Sequence, residues 1–323
     1  MEETVKDWFT IIETMNNSNT YKLAWGRAIL ELCYHDSYDE NDHDVTITFA
    51  DISQKMLKYY WNQTYYFNLK QGPLNQEPEV MRTVKEVIRR YQELTTSLNP
   101  VWFNKAEELL KKEEAFFQKI IKQMVRILKQ DVSWRFLKSH GKDTNIYRVN
   151  KEAAVIIMSK SDVIVLKSYA PLLIQLMNYK WVQLLEKYNR SPKIAHKVKG
   201  SLEEQIRRNN LQKYKNILIK QFNNQPIIDF YTGKVLDDHD ISVDHVIPWS
   251  FMYSDDLWNL VITSKSTNSR KSNLLIREEY IEKLINEKEE LLRILPEKNR
   301  YFFELKEALS NNYIKKYYYD FKL

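Results

Sequence analysis

Asp244 and His245 stand side by side at the end of a short apolar run, within the stretch Ser242 to Asn273. Asn259 follows the histidine by fourteen positions, Asn268 comes nine later, and Arg270 and Lys271 lie just beyond. Neighbouring strand side chains alternate between faces, so a strand here would put a carboxylate metal ligand on one face and an imidazole on the other. An imidazole with an unperturbed pKa of about 6.5 accepts a proton near neutral pH without help from burial. An isolated His beside an Asp is more often a structural hydrogen-bonded pair, and an isolated Asn a turn residue. The joint spacing, with a basic dipeptide at its end, is what points to chemistry.

These residues resemble the pattern of the HNH endonucleases, the ββα-metal nucleases: a DH pair, a middle Asn and a final His or Asn. The spacing is also similar to that of the HNH module in RNA-guided CRISPR effectors, which likewise ends in Asn (an HNN variant). The resemblance covers Phe222 to Asn273, about a sixth of the chain. It implies that Asp244 and Asn268 hold a divalent ion, that His245 is the general base, and that Asn259 bridges the loop and fixes the histidine's backbone. Oxygen ligands point to Mg²⁺ or Mn²⁺ as cofactor. Such an ion stabilises the charge that develops when a phosphodiester is hydrolysed. Arg270 and Lys271, one turn into the following helix, are expected to reach a phosphate. The segment Pro248 to Trp258, with Asp255-Asp256, reads as an exposed excursion between two strands. The cluster Asp237-Asp238-His239-Asp240 reads as a solvated turn rather than a second metal site.

The elements that must position these residues are mostly helical. Only 5 of 323 residues are Gly, and 43% are hydrophobic, which suits globular domains with long helices. The fold expected is mainly α with a small α+β (ββα-metal) nuclease module and a helical N-terminal domain. Cys33 is the single cysteine, so no disulfide framework and no CxxC zinc ribbon is expected. Phe230 to Lys234 takes the place of the zinc-binding hairpin that many HNH proteins carry. The N-terminus does not read as a signal peptide, and no apolar run is long enough to span a bilayer. A soluble cytoplasmic protein with no membrane partner is expected.

Helices are expected over Asn19–Tyr34, Asp51 to about Leu69, 78–95, Ser168–Tyr188 with Pro171 in its first turn, Leu211–Phe222, 277–292 and 301–312. Val101–Leu137 should hold one or two more, with Phe116, Ile120, Ile121, Met124 and Ile127 buried and Gly141 at the end. Residues 45–49 suggest a strand, 146–158 a hairpin, and the tail KKYYYDFKL a docked terminal element. Tyr59, Tyr60, Trp61, Tyr65 and Tyr66 read as core aromatics rather than base-stacking groups. Ser191-Pro192 to Gly200 reads as a linker, which divides the chain into 1–190, a domain that chooses target or partner, and 191–323, the nuclease domain.

Net charge is +6, yet Lys187 to Lys220 holds ten Lys or Arg against Glu203 and Glu204, which leaves the rest of the chain acidic. Beside the motif this segment, including Lys213, Lys215 and Lys220, is expected to track phosphates. DNA is the expected partner. One site cuts one strand, so a double-strand break calls for a homodimer or a second binding event. The YK…W…L pattern near Tyr21 and YYWNQ at 59–63 resemble the helical N-terminal regions of some bacterial HNH proteins of restriction or phage defence, which suggests a partner defence protein. Two other readings stay open: an RNase on the same scaffold, since the chemistry needs no 2′-hydroxyl, and a catalytically silent nucleic-acid-binding module.

Overall fold

The computed structural model describes residues 2–35, 43–73, 77–139, 142–203, 209–274 and 276–322. Gly141 lies outside the described residues. The chain divides into two compact units, Met1–Asn189 with Ile194–Glu204, and Arg190–Lys193 with Gln205–Leu323. Among the described residues no helix is long and apolar enough to cross a membrane.

The first unit is mainly helical: α1 (Glu3–Thr14), α2 (Tyr21–His35), β1 (Asp44–Thr48), α3 (Phe49–Trp61), α4 (Glu79–Thr95), α5 (Phe103–Lys112), α6 (Glu114–Ile127), the one-turn α7 (Ser133–Arg135), the two-residue strands β2 (Lys138–Ser139) and β3 (Lys142–Asp143), then β4 (Arg148–Asn150), β5 (Val155–Ser159), α8 (Lys160–Tyr188) and α9 (Ile194–Glu203). β5 runs between β1 and β4, antiparallel to both. α2 is buried almost all round and packs along α8. Gly26 permits this approach: a Cβ there would stand 2.6 Å from the Phe136 ring and 2.7 Å from the Met177 methyl. Tyr59, Tyr60, Trp61 and Tyr66 are buried and belong to the core, whereas Tyr65 is half-buried.

Three expectations need correction. α8 begins at Lys160, where the Ser159 hydroxyl accepts from the Asp162 amide, and Pro171 therefore sits in the helix interior. A proline there removes one backbone hydrogen bond, but the buried row Leu166, Ala170, Leu173, Met177 and Trp181 continues past it and holds the helix together. The linker read from Ser191-Pro192 is shorter, because α9 buries Ile194 and Val198 within the first unit. On α6 the buried aromatic is Phe117, not Phe116.

The second unit opens with α10 (Gln212–Leu218), continued as a 3₁₀ turn over Ile219–Phe222. Then come β6 (Ile241–His245), α11 (Trp249–Met252), β7 (Leu260–Ser264), α12 (Lys265–Lys271), α13 (Glu279–Ile294), α14 (Arg300–Ser310) and α15 (Tyr313–Lys322). β6 and β7 are antiparallel, with Asp244 opposite Val261 and His245 opposite Leu260. Leu284, Leu291, Leu305, Ile314 and Tyr318 from the last three helices join Val261 and Ile262 in one core. The tail is a docked helix, as its composition suggested: Phe321 meets Phe251 at 5.0 Å and Tyr317 stacks on Trp258 at 5.8 Å.

Gly26→Ala tests the close approach of α2 and α8. Alanine gains about 1 kcal/mol of helix propensity, but overpacking at a buried contact costs about 1–3 kcal/mol. The variant should melt lower than wild type in thermal unfolding, and Gly26→Val lower still. A raised melting temperature for Gly26→Ala would show that the two helices have room.

Candidate active site

The site is built on a buried carboxylate. Asp229 is 1% exposed. Its Oδ1 accepts from the amides of Tyr231 and Thr232, both at 2.9 Å, and its Oδ2 from the Thr263 hydroxyl at 2.9 Å and the Ser264 amide at 2.8 Å. The Phe230–Lys234 turn is thereby fastened to the end of β7. Gly233 closes the turn at φ +70°, a left-handed conformation that favours glycine. Burial alone would push the Asp229 carboxyl up, but the four donors hold it below the usual carboxylate range.

Two consequences reach the motif. The Tyr231 hydroxyl donates to Asp244 Oδ2 at 2.5 Å, and its pKa is raised well above the ordinary value by burial first and then by that carboxylate. Ser264 caps α12, its hydroxyl accepting from the Thr267 amide at 3.0 Å, which sets the helix that carries Asn268. Asn268 Nδ2 donates to Ser242 Oγ at 2.9 Å and to the Val243 carbonyl at 3.2 Å, on β6. Its amide nitrogen is thus committed to β6 while its oxygen accepts from no described residue.

Asp244 is 5% exposed. Besides Tyr231, its Oδ2 pairs with Lys271 Nζ at 3.0 Å, and the same ammonium donates to the His245 carbonyl at 2.7 Å. Lys271 is therefore part of the site wall, with its side chain 8% exposed, rather than a solvated phosphate contact. The helical phase explains this: Asn268 and Lys271 are three residues apart and share the face turned to β6, whereas Arg270 is exposed. Burial lowers the Lys271 pKa while Asp244 raises it, and the net direction is down.

Asn259 is fully buried and makes a two-way pair with one residue. Its Oδ1 accepts from the Ile247 amide and its Nδ2 donates to the Ile247 carbonyl, both at 2.8 Å, while its own carbonyl accepts from Val246 at 2.9 Å. The backbone just after His245 is clamped to the start of β7. The excursion between the strands is packed rather than exposed: Trp249, Phe251, Met252, Leu257 and Trp258 are all buried. Within it Asp255, which the polar run around it assigns to solvent, places Oδ1 3.0 Å from His245 Nε2, with the two side chains 8% and 13% exposed. Burial raises the Asp255 pKa, but hydrogen bonds from His245, Asn209 and Trp249 outweigh it and hold the carboxyl below its usual range.

Asp244, His245, Trp249, Asp255, Asn268 and Asn209 all line one cavity of about 380 Å³. Asp244 and His245, neighbours at the end of β6, both border this cavity. Among the described residues no group of three or more His, Cys, Asp or Glu is placed to hold a metal. What the cavity does offer is Asp244 Oδ1 and Asn268 Oδ1, neither bonded to a described residue. Two oxygen ligands suit a small hard ion that takes its remaining ligands from water and phosphate.

The basic residues divide. Lys213 and Lys220 are exposed, and Lys213 Nζ lies 4.7 Å over the Tyr214 ring. Lys215 is half-buried and donates to the Ile241 carbonyl at 3.4 Å, so it braces β6. Residues 204–208 of the basic segment lie outside the described residues. In the Asp237–Asp240 turn, Asp237, Asp238 and His239 are exposed, and Asp240 Oδ1 accepts from the Lys265 amide at 3.1 Å.

Residues 229–275 match the family model described as HNH endonuclease. The matched segment runs from the buried Asp229 to just beyond α12. Such a domain implies a nuclease that binds nucleic acid, and HNH nucleases in general use divalent metal ions. Residues 3–202 match the model described as domain of unknown function (DUF8808). Curated proteins and solved structures give no match.

The Asp229 network predicts an acid limb in the stability of this unit. A carboxyl whose pKa is depressed by folding contributes stability that is full above its unfolded value of about 4 and is lost as pH falls through the folded value. Asp229→Asn should lose at least ~2 kcal/mol at pH 7, because hydrogen bonds to a charged acceptor are each worth ~1.5–3 kcal/mol. Urea unfolding of variant and wild type should begin to converge below pH ~4, where the unfolded carboxyl protonates, and finish converging as pH falls through the lower folded value. A gap that is the same at both pH values would refute the role assigned to its charge.

Proposed function

For this chain, which belongs to the DUF8808 family by a match over most of its length, we propose that the HNH domain is a metal-dependent DNA endonuclease and that the helical first unit chooses its target. The reading rests on one observation: Asp244 and Asn268, each with a side-chain oxygen that no described residue bonds, line the same cavity as His245. An isolated structural Asp–His pair would not need an anchored amide with its oxygen left over.

The chemistry follows from a phosphodiester's own stability. Its negative charge repels nucleophiles, and its leaving alkoxide is a strong base. Asp244 and Asn268 would hold Mg²⁺ or Mn²⁺, which when bound supplies Lewis-acid stabilisation of the charge developing on phosphate oxygen. His245 takes a proton from the attacking water. Asn259, through its two bonds to Ile247, keeps the segment that follows the histidine from shifting as the proton moves. Lys271 and Tyr231 orient the Asp244 carboxylate through Oδ2 and leave Oδ1 for the ion. Because water rather than a ribose hydroxyl is the nucleophile, DNA is a competent substrate. Arg270, Lys213 and Lys220, all exposed, supply cations for phosphates. A role in restriction or phage defence, with a homodimer or a partner protein completing double-strand cleavage, extends this reading.

Cleavage of plasmid DNA and of a single-stranded RNA, each with Mg²⁺, with Mn²⁺ and with EDTA, tests the proposal. DNA nicking that EDTA abolishes is expected. Absence of metal-dependent cleavage of either substrate would sink it, and cleavage of RNA alone would move the assignment to a ribonuclease. His245→Ala should lose on the order of 10²–10⁴-fold in rate with Mn²⁺ binding retained. Asp244→Asn, which keeps the shape around Lys271, should lose both.

Lys213→Glu with Lys220→Glu should weaken binding to all duplexes alike and flatten the salt dependence, by about 0.9 in log–log slope for each phosphate that is no longer neutralised. Fluorescence anisotropy over a salt series measures this, and an unchanged slope would make these two residues ordinary solvated side chains.

A further inference from the structure

The imidazole that would act as base already has one nitrogen committed. His245 Nε2 lies 3.0 Å from Asp255 Oδ1, and Asp255 Oδ2 accepts from Asn209 Nδ2 at 2.9 Å. Asp255 comes from the excursion between β6 and β7, ten residues after the histidine. That excursion is held at several further points. Ser254 Oγ donates to Asp256 Oδ2 at 2.5 Å, the Leu257 amide donates to Glu304 Oε1 at 2.5 Å, and the Asn259 amide donates to the Asp256 carbonyl at 2.9 Å. Asp255 is therefore presented to the ring from a fixed backbone. With its side chain 8% exposed, water competes little for the contact.

An ionised carboxylate can only accept hydrogen bonds. Asp255 already accepts from Asn209 on one oxygen, so the bond at its other oxygen needs a proton on His245 Nε2. In a ring that carries a single proton, the lone pair is then on Nδ1, the nitrogen that Asp255 does not touch. We propose that Asp255 is a positioning residue for the hydrolysis, fixing the orientation of His245 and its Nε2–H tautomer so that Nδ1 receives the proton from water. This rests on the nuclease reading above. In the step itself, a water O–H bond breaks and its proton goes to Nδ1, while the water oxygen bonds to phosphorus. The bond between phosphorus and the leaving oxygen breaks, and its electron pair goes to that oxygen. The imidazolium so formed carries a positive charge against Asp255, a more favourable neighbour than water alone, and later returns the proton to solvent.

The bland alternative is that Asp255 merely ties down the excursion, and the two roles part on measurement. Asp255→Asn keeps the shape but reverses the bond. If Asn209 still donates to the amide oxygen, the amide nitrogen faces Nε2 and favours a proton on Nδ1. In ¹⁵N-histidine NMR of the full chain, wild type should show the His245 proton on Nε2 with Nδ1 bare, and Asp255→Asn should shift it toward Nδ1. Turnover of Asp255→Asn should fall about 10- to 10²-fold, a part of the 10²–10⁴ that a general base supplies. KM, melting temperature and Mn²⁺ binding should stay within about twofold or a degree or two of wild type. Asp255→Glu should recover more of the rate than Asp255→Asn.

The proposal is overturned if Asp255→Ala keeps wild-type turnover, or if His245 shows the same tautomer in Asp255→Ala as in wild type. It is also overturned if rate and melting temperature fall together in all three variants. If the wild-type chain cuts neither DNA nor RNA, the nuclease reading fails separately. The NMR comparison then decides alone whether Asp255 holds the tautomer, and a bare Nε2 in wild type would refute it.

Discussion

The Asp229 carboxylate carries more of this site than any residue that borders the cavity. It is enclosed on all sides by donors from two places in the chain, the Phe230–Lys234 turn and the end of β7. A buried carboxylate is tolerable only when its lone pairs are so occupied, since stripping it of water without compensation costs several kcal/mol. That condition makes the geometry nearly all-or-none. With the turn in place, Tyr231 meets Asp244. With Ser264 in place, α12 starts where Asn268 can fasten to β6. In a chain with one cysteine, a buried acid and four donors tie the turn to the strand.

The site also holds two acids in different settings. Asp244 faces an ammonium and a phenol, both on Oδ2. Asp255 faces an imidazole and an amide. Where two titratable groups share a cavity but not an environment, they are suited to different tasks. Lys271 adds a constraint of its own. It is held by Asp244 and by the His245 carbonyl, so one cation cross-links the side chain of the first motif residue to the backbone of the second.

Much of this is legible in the residues alone. The spacing of Asp244, His245, Asn259 and Asn268 locates the strand–excursion–strand–helix order, because each of those residues acts through its local backbone. The mainly helical character follows from scarce glycine and long amphipathic runs. What escapes the sequence depends on packing between distant segments. α8 extends back past Pro171 because its buried row outweighs one missing hydrogen bond. α9 forms because Ile194 and Val198 find a core, whereas Ser191-Pro192 and Gly200 suggest a linker. Asp255 reads as solvated because neighbouring Asp256 and Ser254 are polar, although Phe251-Met252 and Leu257-Trp258 on either side hint at a packed excursion. Lys271 can be placed by helical phase, since it lies three residues from Asn268. Tyr231 and Asp229 have no comparable signal; a turn sequence does not reveal whom its side chains will meet.

The membership of α9 bears on how such chains are assembled over evolutionary time. A nuclease module exchanged between hosts must be cut out at a seam that leaves both remnants with closed cores. The Ser191-Pro192 dipeptide looks like that seam in composition, yet a crossover there would carry α9 away with the module and strip Ile194 and Val198 from the unit that buries them. Transfers with a breakpoint beyond Glu204 leave the donor core whole. Recombinants that persist should therefore inherit α9 with the DUF8808 region.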